Sequence, residues 1–159
     1  LTFFTVEVMT IKRFDQTTPG KNIELIYDLF KVNKPLYDRS SEEGKRILLT
    51  ILDDVFWVGT NVKLFWTGLI SEEAKSTGQK CQQHRFPRLL ATKMMFDDLP
   101  DTIEEFQEKY IKFCEFDYTT SSENKKLIPF QKEGVFETPE IAYDKAGIVF
   151  SNLQSVPVV

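Results

Sequence analysis

"CEFDYTTSSENKKL", residues 114–127, carries two kinds of local instruction in one run. Its first part, "EFDYTT", has the aromatic and β-branched bias of a strand. The second part opens with Thr120 and, three residues later, Glu123, the pairing of a capping box. In that arrangement the threonine hydroxyl accepts from the backbone of the third helical residue, and the glutamate returns the bond to the cap. Ser121 is then the first helical residue and Asn124 lies on the first turn. Asparagine is a mediocre residue inside a helix because its short amide competes with the backbone, so a place near the N-terminus suits it. A strand running directly into a capped helix is therefore expected.

Its partner is sought upstream. "KCQQHRF", residues 80–86, is bounded by Gly78 and Pro87 and is predicted to be a strand or loop ending near Pro87. It contains His84, the single histidine of the chain. Between the two stretches, "RLLATKMMF" makes about two helical turns up to Asp97. After Pro100, "DTIEEFQEKYIKFCEF" puts Ile103, Phe106, Tyr110 and Phe113 on one helical stripe. With this helical insertion set aside, the order is a strand with His84, a strand ending at Thr119, and a helix with Asn124. That is a ββα order.

The flanks are read in the same way. Residues 2–11, "TFFTVEVMTI", have strand character, and "QTTPGKN" is a turn signal. "NIELIYDLFKV" spaces Ile23, Ile26, Tyr27 and Phe30 as an amphipathic helix, which Pro35 is expected to end. Ser40 and Glu43 predict a capping box, followed by a helix burying Ile47, Leu48, Ile51, Leu52, Val55 and Phe56. "NVKLFWTGLI", residues 61–70, reads as a strand broken by Gly68. "TPEIAYDKAGI" predicts a helix with Thr138 as cap, Pro139 at its first position and Gly147 as its stop. No repeat or low-complexity tract interrupts the chain.

At 159 residues, with 42% hydrophobic and 13% aromatic content including 14 phenylalanines, the chain is expected to fold as a single α+β domain. Cys81 and Cys114 form no CxxC pair, which suits a reducing, intracellular (cytoplasmic) setting. Residues 1–14 are apolar only in short runs and carry Glu7 and Lys12, so they read as neither a signal peptide nor a membrane span. The net charge of -4 opposes general affinity for nucleic acid, which needs clustered positive charge. The charge is segregated, however. Lys75, Lys80, Arg85, Arg88 and Lys93 form a basic block without acids, and an acidic block runs from Asp97 to Glu108.

"HRFPR" and "YTTSSENKKL", with the tail "AYDKAGI", resemble the His-Me finger nucleases of the HNH superfamily, in the divergent form of phage-encoded and free-standing homing endonucleases. The resemblance covers about residues 65–150 as the nuclease core, and implies that residues 1–60 serve as scaffold or DNA-contact part. It implies N-terminal elements packed with a ββα-like unit that carries a helical insertion, and a metal-dependent DNA endonuclease of homing or nicking type. His84 would be the general base, since a neutral imidazole is matched to working pH. Asn124 would be a ligand of a divalent ion, Mg²⁺ or Mn²⁺, which stabilises charge on the phosphate and leaving group. Arg85 would act at the phosphate, and Arg88, Lys80, Lys93 and Lys125 would hold double-stranded DNA.

The chain departs from the pattern at Gln83, where many members carry a metal-binding Asp. Either Asn124 would then hold the metal with waters and DNA oxygens, or another acid such as Glu123 or Asp117 would contribute, or the chain would not be an active nuclease. Three rival readings come from the residues themselves. Cys81, His84 and Cys114 could be zinc ligands, although a structural zinc site wants four. "SEEAK" or "EFQEK" could belong to a PD-(D/E)xK nuclease. A non-catalytic α+β DNA-binding or regulatory protein could use the 75–93 basic block without cleaving.

Overall fold

The computed structural model describes residues 18–57 and 65–151. The strand expected at 2–11 and the start of the one expected at 61–70 lie outside the described residues. In chain order the elements are α1 (Thr18–Arg39), α2 (Glu42–Trp57), β1 (Trp66–Ser71), α3 (Glu72–Thr77), β2 (Cys81–His84), α4 (Arg88–Asp97), α5 (Ile103–Cys114), β3 (Phe116–Thr119), α6 (Ser121–Leu127), α7 (Pro139–Lys145) and β4 (Phe150–Ser151), with a 3-10 turn at Ile128–Phe130. The class is α+β, as expected. Two compact units divide the chain: α1, α2, α4 and α5 in one, the strands with α3, α6 and α7 in the other. The insertion between β2 and β3 thus belongs to the helical unit. No helix among the described residues is long and apolar enough to cross a membrane.

The helical unit is held by rings. Phe30 stacks on Phe96 at 4.4 Å and meets Phe56 and Phe106 at 5.8 and 5.7 Å between centroids, all four fully buried. Contacts of this kind add to the area each ring removes from water. The Tyr110 hydroxyl donates to the Phe56 carbonyl at 2.7 Å, so a buried polar tip keeps its hydrogen bond.

Three expectations fail in this unit, two for tertiary reasons and one for a local one. Helix α1 continues through Pro35 to Arg39. The turn beyond the proline is anchored by Tyr37, which is buried, stacks on Phe96 at 4.7 Å and donates to Asp97 Oδ1 at 2.9 Å. The cap of α2 is Ser41 instead of Ser40: Ser41 Oγ accepts from Gly44 N at 3.2 Å, while the Ser40 hydroxyl donates to the Leu36 carbonyl. The residue three beyond Ser41 is a glycine, so no reciprocal carboxylate completes a box. The buried face of α2 keeps the expected Leu52 and Phe56 but adds Leu49 and Trp57, and leaves Ile47 and Ile51 57% and 61% exposed.

In the other unit the strand order is β2-β3-β1-β4, with β3 parallel to β1 and antiparallel to β2. Gly68 does not break β1. It takes a φ of 94° where the register shifts between Trp66 and Ile70, a bulge that a side chain would strain. β1 ends at Ser71, whose hydroxyl accepts from Ala74 N at 3.0 Å and caps α3, a helix the polar "SEEAK" run did not announce. The box at Thr120 and the cap at Thr138 form as predicted. Leu127, Ala142, Tyr143 and Ile148 join α6 and α7 in a small core, with Phe130, Phe136 and Phe150 packed on it.

Candidate functional site

Strands β2 and β3 followed by α6 give the strand, strand, helix order. Their register pairs Cys81 with Thr119, Gln82 with Tyr118, Gln83 with Asp117, and His84 with Phe116. Directly opposed residues of antiparallel strands share a face, and neighbours along a strand alternate. Cys81, Gln83, Asp117 and Thr119 therefore line one face, and Gln82, His84, Phe116 and Tyr118 the other. Arg85 returns to the Asp117 side, with its backbone N–H on the Glu115 carbonyl at 3.1 Å.

Asn124 belongs to the Asp117 face, because its side-chain oxygen accepts from the Thr119 hydroxyl. His84 is half-buried on the opposite face, three strand positions away, or about 10 Å along β3. The structure does not bring these two residues together.

Two polar clusters occupy this sheet unit. In the first, Glu123 Oε2 accepts from Thr120 N at 2.8 Å and from the Ser71 hydroxyl at 2.6 Å. Thr120 Oγ1 accepts from Glu123 N at 3.1 Å and donates to Glu73 Oε1 at 3.0 Å. One buried carboxylate thus ties together the caps of α3 and α6. In the second, the fully buried Asp117 accepts from Arg85 Nη1 at 2.9 Å and from the Thr67 hydroxyl. The other guanidinium arm of Arg85 meets Glu140 on α7. Burial opposes the Arg85 charge, but Asp117 and then Glu140 outweigh it and hold its pKa above the ordinary value. The Tyr143 hydroxyl is buried beside them without a hydrogen bond of normal geometry among the described residues. Burial first, and the Asp117 charge second, push its pKa upward.

The basic candidates separate. Arg85 is committed inside the protein. Arg88 and Lys93 belong to the helical unit, Arg88 over the Trp57 ring at 5.4 Å and 3.6 Å from Asp53, Lys93 2.7 Å from Asp97. Lys80 and Lys125 are exposed on the sheet unit, as are Lys75 and Lys126.

A Mg²⁺ or Mn²⁺ ion takes hard oxygen donors, including one or two carboxylates. The donors as arranged do not fit one. The oxygen of Asn124 accepts a hydrogen bond from Thr119, each oxygen of Asp117 accepts one, Glu123 Oε2 serves two caps, and the Gln83 amide donates to the His84 carbonyl at 2.9 Å. Among the described residues no three His, Cys, Asp or Glu side chains converge as metal ligands. The "SEEAK" and "EFQEK" carboxylates lie on helices α3 and α5.

No family model matches the chain, and no curated protein or solved structure matches it either.

Sequence reasoning missed the cluster of Thr67, Arg85, Glu140 and Tyr143 around Asp117. A signal was present: a carboxylate within the strand run "FDYT" must find a cation or donors once buried.

Proposed function

We propose that the chain is a DNA-binding protein that carries a ββα unit without using it for metal-dependent cleavage. One observation supports this reading. Lys75, Lys80, Lys125 and Lys126 are exposed on the sheet unit, and none is ion-paired among the described residues. All four lie on segments that start or end where β1, β2 and β3 meet, since Cys81 pairs with Thr119 and Ile70 with Tyr118. Lysines free of internal ion pairs release counterions from phosphate, and each contact contributes to a linear dependence of log affinity on log salt; Lys80 also reaches over the Tyr118 ring at 5.9 Å. The Arg85 side chain, spent on Asp117 and Glu140, is outside this surface.

The test is fluorescence anisotropy of a labelled duplex in EDTA over a salt series. The double variant K125Q/K126Q should weaken binding on any sequence and reduce the salt slope by about 2. No binding at low salt, or an unchanged slope, would refute the reading.

A second reading, phosphodiester hydrolysis, is favoured by the order β2, β3, α6 with Asn124 on the first helical turn. Metal-dependent nicking of plasmid separates it from the first.

A further inference from the structure

We propose that Arg85 is the built-in cation of the ββα unit, standing on the sheet face that carries Asn124, the metal ligand implied by the resemblance, so that the unit is complete without metal. Gln83 holds the position where the resemblance expects an acidic ligand, and its cross-strand partner is Asp117. The carboxylate is therefore present on that face, one strand over.

Arg85 Nη1 meets this carboxylate at 2.9 Å, and the other arm meets Glu140. A guanidinium held between two carboxylates does with one organic cation what a metal ion does with two acidic ligands. Its planar fork suits that task, and unlike a metal it is fixed by the chain. Thr67 donates to the other Asp117 oxygen, so each oxygen of the carboxylate already accepts a hydrogen bond from within the unit. The Arg85 side chain is 14% exposed and that of Asp117 0%, which keeps water from competing for the pair.

This inference stands apart from DNA binding, which is measured in EDTA. Thermal unfolding of the wild type should give the same midpoint in EDTA and in millimolar Mn²⁺, and Mn²⁺ electron paramagnetic resonance should show only free ion. The variant R85M leaves Asp117, Glu140 and the buried Tyr143 hydroxyl without their cation. Its midpoint should fall in EDTA and recover by several degrees in Mn²⁺, and the recovery should vanish in R85M/D117N. A saturable Mn²⁺ stabilisation of the wild type would overturn the proposal. So would an R85M variant that folds but shows no metal response. The wild-type resonance measurement decides the matter if R85M does not fold.

Discussion

Removing Arg85 while keeping Asp117 should be among the most damaging single changes in the sheet unit. In R85M the Asp117 carboxylate stays where its side chain is 0% exposed, and it loses the donor at 2.9 Å. Breaking a buried pair from one side costs about 3–5 kcal/mol, because the remaining charge is neither solvated nor matched. The other arm adds little. Glu140 is 67% exposed, and pairs of that kind contribute about 0–1 kcal/mol, so E140Q alone should cost under about 1 kcal/mol. The double variant R85M/D117N removes both charges and keeps an oxygen for the Thr67 hydroxyl. It should be more stable than R85M, with a coupling energy of about 2–3 kcal/mol. Urea unfolding in a W57F background isolates this unit, because Trp66 on β1 is then the fluorophore and Trp57 belongs to the helical unit. Additive losses, or an R85M cost below about 1 kcal/mol, would show that the pair does not act as a buried interaction.

Three further outcomes follow from other parts of the molecule. E123A removes the acceptor shared by Thr120 N and the Ser71 hydroxyl and should cost about 1–2 kcal/mol in the same urea assay, as a lost cap does. F30A empties the centre of the ring cluster in the helical unit and should cost about 3–5 kcal/mol, read from Trp57 in a W66F background. The Tyr37 hydroxyl is pushed up to about 12, first by burial and then by its hydrogen bond to Asp97 and that charge. A raised folded-state pKa gives stability that is full below the unfolded value near 10 and is lost as pH climbs through about 12. Urea midpoints of the helical unit should therefore fall across that window, and Y37F should flatten the fall; an equal fall in both proteins would exclude Tyr37 as its source.

The legible parts of the fold were those set by neighbours in sequence. Thr120 with Glu123, and Thr138 before Pro139, announce helix starts because the bonds that make them span three residues. The cap of α2 was misread by one residue, because Ser40 bonds back to Leu36 and leaves Ser41 to the helix; distant residues decided the rest. Pro35 reads as a stop until Tyr37 is seen stacked on Phe96 one turn later. Helix α2 has apolar residues at enough positions to suggest two stripes: Phe56 was read correctly and meets Phe30 in the core, while Leu49 and Trp57 are buried in place of Ile47 and Ile51.

The candidate site follows the same division. Asn124 on a first helical turn was readable, whereas the faces of His84 and Arg85 depend on pairing across the insertion. A slip of one residue in that register exchanges the two faces. The observed register sets Asp117 opposite Gln83 and turns Arg85 inward, so an arginine from a basic block became an internal partner instead of a phosphate contact.

Supercoiled plasmid incubated with the protein in Mg²⁺ or Mn²⁺ tests the central claim most directly. The claim is that this ββα unit holds DNA without cutting it. The plasmid should remain supercoiled at protein concentrations that retard it in EDTA, and H84A should retard it equally. Nicking that requires the metal and disappears in both H84A and N124A would contradict the account.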